Sequence, residues 1–298
     1  MRNVMLTQQN TSILCPTNDL EAHSIIELAK LHGFTIFEGP SFWGATLADA
    51  LAEIDLNTCK PNLLAIELPD LDGEAQQYLD QTGIVLHTLD HHQYPQSDAR
   101  HTLSAIEQFA ALFSLLLSDY EQLVAANDKG FIPGLLAAGA SYQQMRQIRD
   151  DEARVRGVAQ ERAQAFTWLN TALSSATSID DVVYLACPAD YVRVMSEVAQ
   201  FPTQAAYEQA LSSGTELKLR QVVIQYQKQN TTTQIEVLAN KNRNAFSELV
   251  ANWPYSSLQS WFGGQAPNYF FGASAKKDAT ACSHQFDELY DQIKHILK

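Results

Sequence analysis

What this chain has little of narrows it first. Its cysteines, Cys15, Cys59, Cys187 and Cys282, are scattered, with no C-x-x-C pair and no histidine at zinc spacing. That excludes a zinc finger and a dense disulfide framework, and reduced thiols are expected. Basic residues are also scarce, since 20 Lys and Arg stand against 34 Asp and Glu, a formal charge of −14. This sign repels long nucleic acids and anionic membranes, so neither is expected as a partner. Long apolar runs are missing too. The longest, Phe109 to Leu117, is interrupted by Ser114 and is too short to span a bilayer. Met1 to Thr11 is polar, without the apolar core of a signal peptide, which makes a cytoplasmic protein the expectation. No internal repeat or low-complexity tract stands out.

What is there suffices for large cores. The 298 residues are 46% hydrophobic and 9% aromatic, enough for two domains of about 150 residues each. Short apolar runs alternate with amphipathic stretches, the order of β-α units. Strands are expected at Ser12–Cys15, Phe34–Phe37, Asn62–Leu68 and Gly83–Leu89, with helices at Glu21–Leu31, Ala45–Ile54, Gly73–Asp80, Leu103–Leu117 and Tyr120–Ala126. Asn127 to Gly130 reads as a break before Pro133 and Gly134. The stretch from Ser141 to Ser175 lacks proline and fits a long helix or helix pair. Beyond it, strands at Val182–Ala186, Gln221–Gln227, Gln234–Leu238 and Tyr269–Phe271 mix with helices at Tyr191–Ala199, Ala245–Asn252 and His284–Leu297. The fold class is α/β: a parallel-sheet domain over residues 1–140, a helical linker over 141–178 and a smaller mixed-sheet domain over 179–298.

In an open parallel sheet, ligands bind beyond the carboxyl ends of the strands. Asp19 and Glu21 follow the first expected strand, Glu67 ends the third, and Asp90, His91 and His92 end the fourth. Asp128, at the break, can add a carboxylate if that segment folds back over the edge. A hard divalent ion such as Mn²⁺ accepts both oxygen and imidazole ligands, and two such ions can clamp a phosphoryl group. Taken singly, Asp19 reads as a helix N-cap, and Asp128 as a turn or C-cap residue. The Asp-His-His triplet is harder to reach by chance, on the order of once in a hundred chains of this composition.

With these residues in place, the chain resembles the DHH phosphoesterases. Leu89-Asp90-His91-His92 resembles their third motif, Thr17-Asn18-Asp19-Leu20-Glu21-Ala22 their first, Ala65-Ile66-Glu67 their second, and Asp128 the fourth. Trp261-Phe262-Gly263-Gly264-Gln265 stands where the family often has Gly-Gly-His, and Asn240-Lys241-Asn242-Arg243 where it has a phosphate-gripping Ser-x-Arg. Glu21 and Glu67 replace Asp, lengthening each side chain by about 1.5 Å. Thr17 replaces a His or Asp, and Gln265 a His.

The resemblance implies a DHH-type metal-binding domain followed by a DHH-associated substrate domain. Asp19, Glu21, Glu67, Asp90, His91 and Asp128 would hold one or two Mn²⁺ or Mg²⁺ ions. Asp90, His91 and His92 would carry the catalysis, with His92 on the scissile phosphate. Arg243, Gly263, Gly264 and Gln265 would join His92 in binding the substrate. The expected activity is hydrolysis of a phosphodiester or phosphomonoester in a small phosphorylated substrate: a short oligonucleotide, a dinucleotide or a nucleotide. The alternative is a catalytically degenerate nucleotide- or metal-binding regulatory protein of the same fold. Arg146, Arg149, Arg154, Arg156 and Arg162 read as a solvated helix face paired with Asp150, Asp151, Glu152 and Glu161. Trp253, Tyr255 and Trp261 can stack a base, although aromatics in a small domain usually serve its core.

Overall fold

The computed structural model describes residues 5–91, 94, 97–179, 181–191, 194–201, 203–212, 221–265, 268–276 and 282–298. It divides the chain into two compact units. One comprises Met1–Gly134 and Gln147–Arg156, the other Leu135–Arg146 and Gly157–Lys298. The stretch expected as a linker is thus shared between the units. Among the described residues no helix is long and apolar enough to cross a membrane.

The first unit is built on β1 (Thr11–Cys15), β2 (Thr35–Glu38), β3 (Asn62–Ile66) and β4 (Val85–Leu89), all parallel, in the order β2-β1-β3-β4. Side chains two apart share a face. Ile13, Cys15, Leu64 and Ile66 therefore pack with α1 (Leu20–Leu31) and α4 (Ala105–Phe113) on one face. Leu14, Leu63 and Ala65 pack with α2 (Leu47–Leu51) and α3 (Glu74–Thr82) on the other. β1 and β3 are buried on both sides, so they read as unbroken apolar runs. From β1 the chain crosses to β2 on one side, while β3 lies on the other. The carboxyl ends of β1 and β3 consequently flank the point where the winding reverses, the position at which such sheets open a crevice.

Helix α4 is shorter than expected because Ser114 adopts a left-handed conformation at its C-cap. The break near Gly130 also falls later. Helix α5 (Asp119–Ala137) runs through Asn127, Asp128 and Lys129 and leaves helical geometry only at Gly130 and Phe131. Pro133 sits in the first turn after the break, where its missing N–H costs little. The turn brings Gly134 so close to the Ala126 carbonyl that an added Cβ would lie 2.1 Å from its oxygen. Residues 147–156 belong to α6 (Tyr142–Val155) and its end. They are tied to the first unit by Tyr120 Oη donating to Asp151 (2.8 Å) and Leu20 N donating to Glu152 (2.9 Å). Of the long helix or helix pair expected from Ser141, the pair forms, completed by α7 (Ala159–Ser175).

The second unit carries six strands: β5 (Thr177–Ile179), β6 (Val182–Pro188), β7 (Gln221–Lys228), β8 (Thr231–Ala239), β9 (Leu258–Gln265) and β10 (Asn268–Ala275). Their order is β5-β6-β7-β8-β10-β9, and only β6 and β7 run parallel. Val223, Ile235, Val237, Phe271 and Ala273 form a core with α10 (Arg243–Ala251) and α11 (Ser283–Leu297), which Trp253 and Tyr255 join. Strands β5 and β9 and helix α9 (Gln204–Ser212) were not among the expected elements; helix α8 (Met195–Gln200) begins four residues later than expected.

Gly134→Ala should lower stability by about 1–3 kcal/mol, because its methyl meets backbone rather than a movable side chain. A fall in the denaturant midpoint at constant m would show it. An unchanged midpoint would mean that the two halves of α5 do not touch this closely.

Candidate metal centre

Four elements deliver the site. Glu21 lies in the first turn of α1, Glu67 directly follows β3, His91 lies two residues beyond β4, and Asp128 is near the break in α5. One ligand atom from each of Glu21, Glu67 and His91 lies within 4.8 Å of the others. His91 Nδ1 is 3.1 Å from Glu67 Oε1, and His91 Nε2 is 3.7 Å from Asp128 Oδ2. Both ring nitrogens thus face carboxylates. Glu67 reaches this position through a left-handed backbone, φ 47°, a region that costs a residue with a Cβ about 1–2 kcal/mol. Its amide extends the β3–β4 pairing by donating to Leu89 O at 2.8 Å.

Neighbours fix the other members. Glu21 Oε1 accepts from Ile106 N (3.0 Å) at the start of α4. Arg149 donates to Asn127 Oδ1 at 2.6 Å, and Lys129 Nζ grips both oxygens of Glu107 at 2.8 and 2.7 Å. Asp128 is therefore flanked by two anchored residues on a helix that turns about 100° per residue.

Burial dominates the electrostatics. It pushes Glu21 up to about 8, aided by the charge of Glu67, and pushes Glu67 up to about 8, aided by Asp19 and Asp90. Asp128 is raised well above the ordinary carboxylate range by burial and then by Glu21 and Glu67. His91 is lowered, because burial outweighs the attraction of Glu21 and Asp90. Its imidazole is thereby kept neutral, the form that offers a lone pair to a metal.

The donor set fits a divalent cation. Ligand atoms about 2.0–2.2 Å from an ion span at most about 4.4 Å, and the observed cluster needs only a sub-ångström contraction. Asp128 Oδ2 is buried without a hydrogen-bond partner among the described residues. Two carboxylates and one neutral imidazole nitrogen match a hard to borderline ion, with the Asp128 carboxylate at the ring's other nitrogen.

Two further expected ligands, Asp19 and Asp90, lie close by in sequence. Asp19 Oδ1 accepts from Ala22 N at 2.8 Å and caps α1. Thr17 Oγ1 donates to Gly39 O at 3.3 Å, and Thr17 N donates to Pro40 O at 3.1 Å. Asp90 is buried, and its charge acts on Glu67 and His91. His92 lies outside the described residues, as does the side chain of Gln265.

Arg243 opens α10 in the second unit, its guanidinium 5.8 Å from the Phe262 ring centre and 6.0 Å from that of Tyr269. Gly263 and Gly264 belong to β9, paired with Phe270 and Tyr269 of β10. A Cβ at Gly263 would strike the Phe270 ring at 2.5 Å, which gives that glycine a packing role. Trp261 lies across Gly272 in the same way.

The expectation of a solvated arginine face fails for Arg149 and Arg162, which are buried. Arg149 reaches Asn127, and Arg162 lies 5.1 Å over the Phe166 ring. Arg154 does pair with Asp151, at 2.7 Å on the surface.

No protein-family model matches the chain, and no curated protein does. Solved structures similar to it include the exonuclease RecJ bound to manganese, with 11% identity, a TM-score of 0.43, and coverage of 97% of this chain and 90% of that one. An exopolyphosphatase-related protein from Bacteroides fragilis has 9% identity and a TM-score of 0.43, covering 96% and 91%. The DHH domain of a member of a family of ribosomal proteins has 11% identity and a TM-score of 0.43, covering 97% and 86%.

The raised carboxylates set a pH dependence. Glu67 titrates near 8 when folded and near the ordinary glutamate value of 4.5 when exposed, so the folded state holds more protons between these values. Its contribution to stability therefore falls as pH rises from about 5 to 8. Glu67→Gln removes that loss. In metal-free protein, the melting temperature of this variant relative to wild type should climb across the interval. A difference that stays flat or falls would contradict the buried, protonated state.

Proposed function

We propose that this chain is a metal-dependent phosphoesterase that hydrolyses a phosphodiester or phosphomonoester in a small phosphorylated substrate. A short oligonucleotide, a dinucleotide or a nucleotide fits the acidic composition better than a long strand does. The observation that carries this reading is the meeting of Glu21, Glu67, His91 and Asp128 where the parallel sheet reverses its winding. Mn²⁺ is the preferred ion, with Mg²⁺ second, and one ion is favoured over two because, among the described residues, only Glu21, Glu67 and His91 bring ligand atoms within 4.8 Å of one another.

Glu21, Glu67, His91 and Asp128 would hold the ion. When bound, it supplies Lewis acidity and a water of lowered pKa. The chain's own groups do the rest. The left-handed turn fixes the Glu67 carboxylate, and the α4 amide at Ile106 fixes Glu21. Asp90 and His92 complete the proposed catalytic set, with His92 on the phosphate. Arg243, Gly263, Gly264 and Gln265 of the second unit are proposed to bind the rest of the substrate. The departures from the family pattern at Thr17, Glu21, Glu67 and Gln265 favour a second reading, a nucleotide- or metal-binding regulatory protein that has kept the fold without turnover.

Mn²⁺-loaded protein offered a dinucleotide, a nucleoside 3′,5′-bisphosphate and an aryl phosphodiester should release product from at least one. His91→Ala should lower that rate by about 100-fold or more. Turnover of none, with Mn²⁺ binding that still depends on His91, would select the regulatory reading.

A further inference from the structure

An ion held by Glu21, Glu67, His91 and Asp128 leaves an electrostatic problem. The site also contains Asp19 and Asp90, and the substrate proposed above is an anion. A single divalent ion does not offset that much negative charge, so a phosphate needs a further cation nearby.

The first unit offers few candidates. Lys129 is bound by both oxygens of Glu107. Arg149 is buried and held by Asn127. The Arg100 guanidinium forms three hydrogen bonds with Asp98 and stacks 4.2 Å from the Tyr94 ring. Arg156 is different. Its side chain is 31% exposed, and among the described residues it meets only the Glu152 carboxylate, through one long contact of 3.4 Å.

Its location is defined by a chain of contacts. The other oxygen of Glu152 accepts from Leu20 N at 2.9 Å, and Leu20 stands between Asp19 and Glu21. The guanidinium is thereby anchored beside the first turn of α1, which Asp19 caps. Burial raises Asp19, and the positive charge of Arg156 acts against that rise. An arginine has five N–H donors in a planar fork, so one contact to Glu152 leaves the rest for a ligand. That geometry suits two phosphate oxygens better than a point charge does.

We propose that Arg156 is a phosphate-binding residue of this site, holding non-bridging oxygens of the substrate's phosphoryl group beside Asp19. It would supply there the positive charge that a second ion supplies in a two-ion clamp. The proposal rests on the phosphoesterase reading for its substrate, while its test reads phosphate binding separately.

Full-length wild type, Arg156→Gln and Arg156→Lys would be loaded with Mn²⁺ and titrated with inorganic phosphate, followed by calorimetry. The Mn²⁺ affinity of each variant should stay within about twofold of wild type. Phosphate affinity should fall about tenfold or more in Arg156→Gln and less in Arg156→Lys, which keeps the charge but loses the fork. KM for whichever substrate is turned over should rise in the same order. If Arg156→Gln is too unstable to purify, Arg156→Lys alone decides, and unchanged phosphate affinity and KM would overturn the proposal. Failure of wild type to bind phosphate would overturn it as well. Turnover that ignores Arg156 removes this assignment and leaves the hydrolase reading. Arg156-dependent phosphate binding without turnover does the reverse.

Discussion

Everything at this centre depends on burying several carboxyl groups together. Glu21, Glu67 and Asp128 sit around one imidazole, away from water, and an isolated carboxylate charge is expensive to bury. Two solutions exist. Without a cation, the cluster keeps protons, and that is why Glu21 and Glu67 titrate near 8. A divalent cation would let the carboxylates ionise, and their protons would leave. A neutral His91 is compatible with both states.

The fold accepts this cost for the sake of position. The winding reversal between β1 and β3 opens the crevice, and the left-handed backbone at Glu67 turns its carboxyl into it. Residues with strained backbone persist where surrounding structure over-determines them, and here the Glu67 amide is fixed by Leu89. The break at Gly130 and Phe131 comes after Asp128, so that carboxyl is carried on a helical turn anchored by Arg149 and Glu107 on either side. Much of what surrounds the centre is hydrogen bonding that holds ionisable groups in place.

The sequence disclosed the first unit well, because β1 and β3 are buried on both faces and the intervening helices carry amphipathic patterns. It also pointed to the four side chains of the cluster, since each follows or flanks a strand or break that local patterning reveals. What it hid was set by distant partners. Arg149 reads as a surface charge until Asn127 is brought against it. Asp19 caps α1 through one oxygen, to Ala22 N, and the residue pattern of a cap is the same as that of a ligand. The β7–β8 hairpin turns on Gln229 and Asn230, both with positive φ, without the Asn-Gly signal that usually marks such a turn. Strand β9 was not expected because glycines weaken a strand pattern, whereas the rings of Phe270 and Trp261 need the space that side chains at Gly263 and Gly272 would fill.

The most direct test of the central claim is calorimetric titration of the metal-free full-length protein with Mn²⁺ at pH 6.5, about 1.5 units below the values near 8 of Glu21 and Glu67, in two buffers of different ionisation enthalpy. Saturation is expected at about one ion per chain, with release of more than one proton. The apparent heat should then differ between the buffers, and Glu67→Gln should reduce the protons released. Binding with equal heats in both buffers, or no binding at all, would contradict it.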